Sequence, residues 1–166
     1  LLVQQQKGCY ITELIIEDGI KSIMEGAFYG EQYLESVTLP DSVTTLGKGV
    51  FRGCSSMKSF DIPEKITIIP ETTFAGCSML AEVTIPNSVK TIGYNALSDC
   101  ESLKNLVIPD SVTSIGFCSF ACCDYITSVT ISDSVVSVGE YAFFCCLNLK
   151  SIIVDENFTN LSYAFE

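Results

Sequence analysis

A 23-residue period runs through almost the whole chain without a single insertion, and no other feature constrains the fold as tightly. "VTLPDSVTTLGKGVFRGCSSMKS" begins at Val37, "FDIPEKITIIPETTFAGCSMLAE" at Phe60 and "VTIPNSVKTIGYNALSDCESLKN" at Val83. "LVIPDSVTSIGFCSFACCDYITS" follows at Leu106 and "VTISDSVVSVGEYAFFCCLNLKS" at Val129. The register extends back to "LIIEDGIKSIMEGAFYGEQYLES" at Leu14 and forward to Ile152. One unit cannot bury its own apolar face, whereas stacked units bury a continuous core. The repeat therefore predicts a right-handed solenoid of about six and a half rungs. Residues 1–166 form one domain, with a partial rung at 8–13, full repeats at 14–36, 37–59, 60–82, 83–105, 106–128 and 129–151, and a degenerate closing rung at 152–166.

The columns of the repeat have distinct physical roles. Columns 1 and 3 are apolar in every rung (Leu106 and Ile108, for example), while column 2 between them is mostly polar (Thr38, Asp61, Thr84, Thr130). That alternation predicts a short strand with one buried face. Proline in column 4 (Pro40, Pro63, Pro86, Pro109) cannot donate to a ladder and ends the strand. Asp41-Ser42 and Asp110-Ser111 then provide turn chemistry. Apolar residues at columns 7 and 10, such as Val112 and Ile115, followed by glycine in column 11 (Gly47, Gly93, Gly116, Gly139), predict a second short extended segment. Columns 14, 15, 18 and 21 (Val50, Phe51, Cys54, Met57; Ala142, Phe143, Cys146, Leu149) follow spacings of three and four, which predict a short helical turn per repeat.

Composition narrows the function classes. The net charge is −11 and Arg52 is the only arginine, so a phosphate backbone has no basic stripe to meet and nucleic acid is not an expected partner. There is no histidine, which removes the commonest general base and the commonest metal ligand. Apolar runs such as Tyr141 to Leu147 fall far short of the roughly 20 residues that cross a bilayer, so no membrane insertion is expected. "LLVQQQKG" opens on Leu1 and lacks the features of a signal peptide, which suggests a processed or truncated chain.

The motif LxxLxIPxSVxxIGxxAFxxC, carried here by "LKNLVIPDSVTSIGFCSFACC" and "MLAEVTIPNSVKTIGYNALSDC", resembles the BspA-type (Treponema-type) leucine-rich repeat over about residues 8 to 157. That family occurs in surface and secreted proteins of bacteria and in some protists. The resemblance implies a horseshoe-like leucine-rich-repeat solenoid used for adhesion and protein recognition at the cell surface, with no catalytic residues of its own. Its members are associated with host matrix proteins or other bacteria, a choice of partner that the repeat itself does not specify. Ser132 replaces the proline, Pro70 the glycine, Leu97 the phenylalanine and Glu31 the cysteine of the pattern. In "SYAFE", Ala164 and Phe165 come one residue early.

Nine cysteines fall into two groups. Cys54, Cys77, Cys100, Cys123 and Cys146 share column 18 and read as a ladder of small buried hydrophobes. Cys9, Cys118, Cys122 and Cys145 lie off that ladder. Cys122 and Cys145 share column 17 in adjacent rungs, where a disulfide is geometrically feasible. A zinc site from Cys118, Cys122 and Cys145 lacks the usual paired CxxC knuckles. Column 5 (Asp18, Asp41, Glu64, Asn87, Asp110, Asp133, Glu156) reads as solvated turn residues, with a calcium-binding row as the alternative. The serines have no base beside them, and the "NFT" and "NLS" sequons at Asn157 and Asn160 matter only in a eukaryotic secretory protein.

The expected function is therefore non-enzymatic recognition of a protein partner, without metal or cofactor. The binding face is the strand-lined concave side presenting columns 23 and 2: Thr38, Ser59, Asp61, Glu82, Thr84, Asn105, Val107, Ser128, Thr130 and Ser151. An acidic, threonine-rich face of this kind favours a basic or polar partner. The alternative is a spacer or stalk with no ligand of its own.

Overall fold

The computed structural model describes residues 10–154 and 163–165. Cys9, Glu156, Asn157, Asn160 and the start of the partial rung lie outside the described residues. The chain winds as a parallel β-solenoid in which the rungs line up their strands in two ladders, residues 106–108 of the first ladder lying in the row without strand hydrogen bonding. The first ladder is built from β1 (Glu13–Ile15), β3 (Ser36–Thr38), β5 (Ser59–Asp61), β7 (Glu82–Thr84), β10 (Ser128–Ile131) and β12 (Ser151–Val154). The second holds the two-residue strands β2 (Ser22–Ile23), β4 (Thr45–Leu46), β6 (Ile68–Ile69), β8 (Thr91–Ile92), β9 (Ser114–Ile115) and β11 (Ser137–Val138). Every pairing is parallel and shifted by one repeat: Leu14 faces Val37, Phe60 faces Val83, Ile92 faces Ile115 and Val129 faces Ile152.

In the inner rungs the columns predicted as core are buried, while Ile20 and Val154 in the end rungs are exposed. Val43, Val89 and Val112 (column 7), Ile69 and Ile92 (column 10), Phe51, Phe74 and Phe120 (column 15) and Leu80 and Leu103 (column 21) are wholly buried. Column 15 forms a stack of rings along the axis. Phe28 and Phe51 lie 5.6 Å apart, Phe51 and Phe74 5.8 Å, and Phe120 and Phe143 5.3 Å, with planes within 14° of parallel. Leu97 interrupts the stack. The early Ala164 and Phe165 still fill their columns. The Phe143 amide donates to the Ala164 carbonyl at 2.8 Å, and Phe165 stacks on Phe143 at 5.6 Å.

The proline turn is equally regular. Val43, Ile66, Val89 and Val112 each donate their amide to the carbonyl of the proline three residues earlier, at 3.0 to 3.1 Å. Ser88 and Ser111 extend the stacking by donating their hydroxyls to the Ile66 and Val89 carbonyls of the preceding rung, at 2.6 and 2.7 Å.

The expected helical turn is not there; the described residues contain no helix. Instead, hydrogen bonding alternates residue by residue. Gly26, Phe28 and Gly30 donate forward to Lys48, Val50 and Arg52 of the next rung, while Ala27, Tyr29 and Glu31 donate locally to the residue three positions back. The same alternation runs through Cys118 to Cys122. Left-handed backbone at columns 13 and 17 turns alternate amides outward to the neighbouring rung (φ 61° and 75° at Gly26 and Gly30, 51° and 59° at Cys118 and Cys122). A helix would direct all of them along its own axis. No helix among the described residues is long and apolar enough to cross a membrane.

Candidate functional site

Strand alternation places columns 23 and 2 on the outer side of the first ladder. All ten residues named from the sequence are exposed there: Thr38, Ser59, Asp61, Glu82, Thr84, Asn105, Val107, Ser128, Thr130 and Ser151. The column 1 side chains between them (Phe60, Val83, Leu106, Val129) point into the core. Pairing brings Ser59 beside Glu82, Asp61 beside Thr84, and Ser128 beside Ser151. Asn105–Val107 keep their place in the row without being a strand. The rungs are held in register there by the Lys104 amide, which donates to the Ala81 carbonyl at 3.2 Å.

The face is less acidic than its ten residues imply, because exposed lysines at column 22 (Lys58, Lys104, Lys150) run along its edge. Lys58 pairs with Glu35 of the preceding rung, and the Lys104 ammonium lies 5.9 Å from the centre of the Tyr125 ring. Charge of both signs therefore alternates with hydroxyls. Val107, 73% exposed, is an apolar point in its centre.

The cysteine ladder does more than fill space. Cys54, Cys77, Cys100, Cys123 and Cys146 each donate the thiol to a carbonyl of the preceding rung (Phe28, Phe51, Phe74, Leu97 and Phe120), at 3.1 to 3.3 Å. A thiol is apolar enough to be buried and still supplies a weak donor. Burial pushes the Cys54 thiol up to about 12 and Cys77, Cys100 and Cys123 well above the ordinary range. These groups stay protonated and are poor nucleophiles.

The off-ladder cysteines among the described residues occupy left-handed backbone: Cys118 in column 13, and Cys122 and Cys145 in column 17. Glycines at Gly26, Gly30, Gly49, Gly53 and Gly76 in those columns were the sequence signal for that conformation. Among the described residues no three Cys, Asp or Glu side chains gather where they could hold a metal ion. Column 5 is a row of exposed turn residues from Asp18 to Asp133. A feature sequence reasoning missed is an exposed aromatic row on the turn side. Tyr94 stacks on Phe117 at 5.4 Å, Phe117 meets Tyr141 edge-on at 5.4 Å, and Tyr141 meets Phe144 at 5.8 Å. These residues come from columns 12, 13 and 16, which share no apolar pattern along the chain.

With this geometry in place, comparison with known proteins is specific. The family model for the BspA type leucine rich repeat region (6 copies) matches residues 5–124 and 91–166. A leucine-rich repeat protein from Bacteroides ovatus is 38% identical, with a TM-score of 0.82 over 89% of this chain. This chain spans only 38% of that protein's length. The leucine-rich repeat protein of T. pallidum is 29% identical with a TM-score of 0.76, over 86% of this chain and 69% of that one. A leucine rich cell surface protein from Faecalibacterium prausnitzii is 25% identical with a TM-score of 0.53, over 86% and 54%. No functionally curated protein matches the chain.

Proposed function

The chain belongs to the BspA-type leucine-rich repeat family, and on that premise we propose that it is a non-enzymatic protein-recognition or adhesion module of a surface or secreted protein. Binding is through the outer side of the first strand ladder. The observation that carries this reading is the row of exposed side chains at columns 23 and 2, from Thr38 to Ser151. Their backbone is tied from rung to rung (Ile62 to the Thr84 carbonyl at 3.1 Å, for example), so the row is preorganised and little ordering entropy is spent on docking. Mixed charge, hydroxyls and the exposed Val107 suit a polar, extended protein surface. The surface location draws on the F. prausnitzii relative, whose name describes a cell surface protein. The absence of histidine from the sequence supports a role without catalysis.

The test is surface plasmon resonance of the immobilised chain against a panel of purified matrix and bacterial surface proteins, repeated with Thr84→Arg and Asn105→Arg. Both positions are exposed, so the variants are expected to keep the wild-type circular dichroism spectrum and to lose most of the binding. Full binding by folded variants would move the site to another face. Silence across the panel would favour the spacer reading.

A further inference from the structure

Column 17 changes character along the stack: Gly30, Gly53 and Gly76, then Asp99, then Cys122 and Cys145. All six residues have left-handed backbone, at φ 75° in the glycines and 59° and 55° in the cysteines. Glycine and, to a lesser extent, aspartate tolerate that region, whereas cysteine has no such preference. Two cysteines in successive rungs at a strained position need a reason that the fold alone does not provide.

The geometry supplies one. A Cβ on Gly53 would lie 3.6 Å from the Gly30 Cα, and one on Gly76 3.8 Å from the Gly53 Cα, so a column-17 side chain leans onto its counterpart one rung back. Cys145 stands in that relation to Cys122. The Cys122 amide donates to the Phe144 carbonyl at 2.8 Å, which pins the two backbones at ladder spacing. That spacing, about 4.8 Å, lies inside the Cα separation a disulfide requires. The Cys145 side chain lies near enough to act electrostatically on the Cys122 thiol. Cys145 is exposed and Cys122 partly so, unlike the buried thiols of the column-18 ladder. Cys118 has no such counterpart, since Asn95 and Tyr141 occupy its column in the flanking rungs.

We propose that Cys122 and Cys145 form a reversible disulfide that staples rung 129–151 to rung 106–128 in an oxidising medium. With a small-molecule disulfide such as oxidised glutathione as oxidant, the exposed Cys145 thiolate attacks one sulfur and expels glutathione thiolate, leaving a mixed disulfide. Cys122 then loses its proton and attacks the Cys145 sulfur, releasing the second glutathione. Two protein thiols are oxidised, one disulfide is reduced to two thiols, and both protons end on glutathione. Burial first, and then the Asp99 charge, push the Cys122 thiol up to about 11, which makes Cys145 the entry point.

The whole chain is incubated with excess oxidised glutathione, free thiols are alkylated, and chymotryptic peptides are read by mass spectrometry. Cleavage after Phe120, Tyr125, Phe144 and Leu147 separates the two cysteines. The expected product joins Ala121–Tyr125 to Cys145–Leu147 with the loss of two hydrogens, and fragmentation assigns the link to Cys122 and Cys145. Cys122→Ser is expected to trap glutathione on Cys145, and Cys145→Ser to abolish the link. Full alkylation of both thiols in the wild type, a persistent glutathione adduct there, or a link between the vicinal Cys145 and Cys146 would each overturn the proposal.

Discussion

Replacing Gly116 by alanine tests how closely the rungs are stacked. A Cβ at Gly116 would lie 2.6 Å from the Gly93 carbonyl carbon, 2.7 Å from its oxygen and 2.8 Å from the Tyr94 nitrogen. Carbon atoms pack best at about 3.5 to 4.0 Å, so the overlap approaches 1 Å, and all three obstacles are backbone. Relief requires rungs 83–105 and 106–128 to part locally, stretching the 2.8 Å bond from the Gly116 amide to the Ile92 carbonyl. Overpacking costs about 1 to 3 kcal/mol and a weakened ladder bond about 1, against a gain of about 0.4 to 1 from the stiffer unfolded chain. The net loss is about 2 to 3 kcal/mol, a fall in Tm of about 5 to 10 °C in thermal denaturation followed by circular dichroism. Gly53→Ala is the control. Its Cβ would meet nothing nearer than 3.6 Å, and its φ of 75° carries a left-handed cost of about 1 to 2 kcal/mol, partly offset by the same entropy gain. If Gly53→Ala proved the more damaging, or Gly116→Ala were neutral, close backbone stacking would not be why column 11 is glycine.

Two further outcomes follow from the core. Phe74→Ala, at a wholly buried ring packed 4.9 Å from Phe60 and 5.8 Å from Phe51, is expected to cost about 3 to 5 kcal/mol in urea unfolding. Phe74→Leu should cost much less, because Leu97 already holds that column one rung on. Stability should also fall as pH rises above 9. Below that value a ladder thiol is protonated in both states; between 9.0 and about 12 the unfolded chain releases the Cys54 proton while the folded chain keeps it. Each such thiol removes about 1.4 kcal/mol per pH unit in that window. Urea midpoints from pH 8 to 11 should therefore drop less steeply in Cys54→Ala than in wild type, and parallel slopes would contradict the burial of the thiol.

Much of this fold is legible in one repeat. Alternation at columns 1 to 3, proline at column 4 and apolar residues at 7, 10, 15, 18 and 21 determine which side chains face inward, because a fixed period without insertions allows only one register between rungs. The outward set, Thr38 to Ser151, follows from the same alternation. The third segment is not legible in the pattern, because spacings of three and four suit a helix and a run of hydrogen-bonded turns equally. Only the left-handed backbone at columns 13 and 17, which sends alternate amides to the next rung, separates the two. Nor does sequence alone say why column 18 is cysteine. It takes the approach of each thiol to a carbonyl 26 residues earlier to show that a hydrophobe there also acts as a donor. What the sequence determined by itself is period, register and the inner and outer faces, all local consequences of side-chain chemistry repeated at one interval. What only the tertiary structure decided is everything set by the gap between rungs: the glycines of column 11 and the aromatic row from Tyr94 through Phe117 to Tyr141. Those contacts join residues a full turn apart in the chain, and a distance of a few ångströms between turns is written in no single one of them.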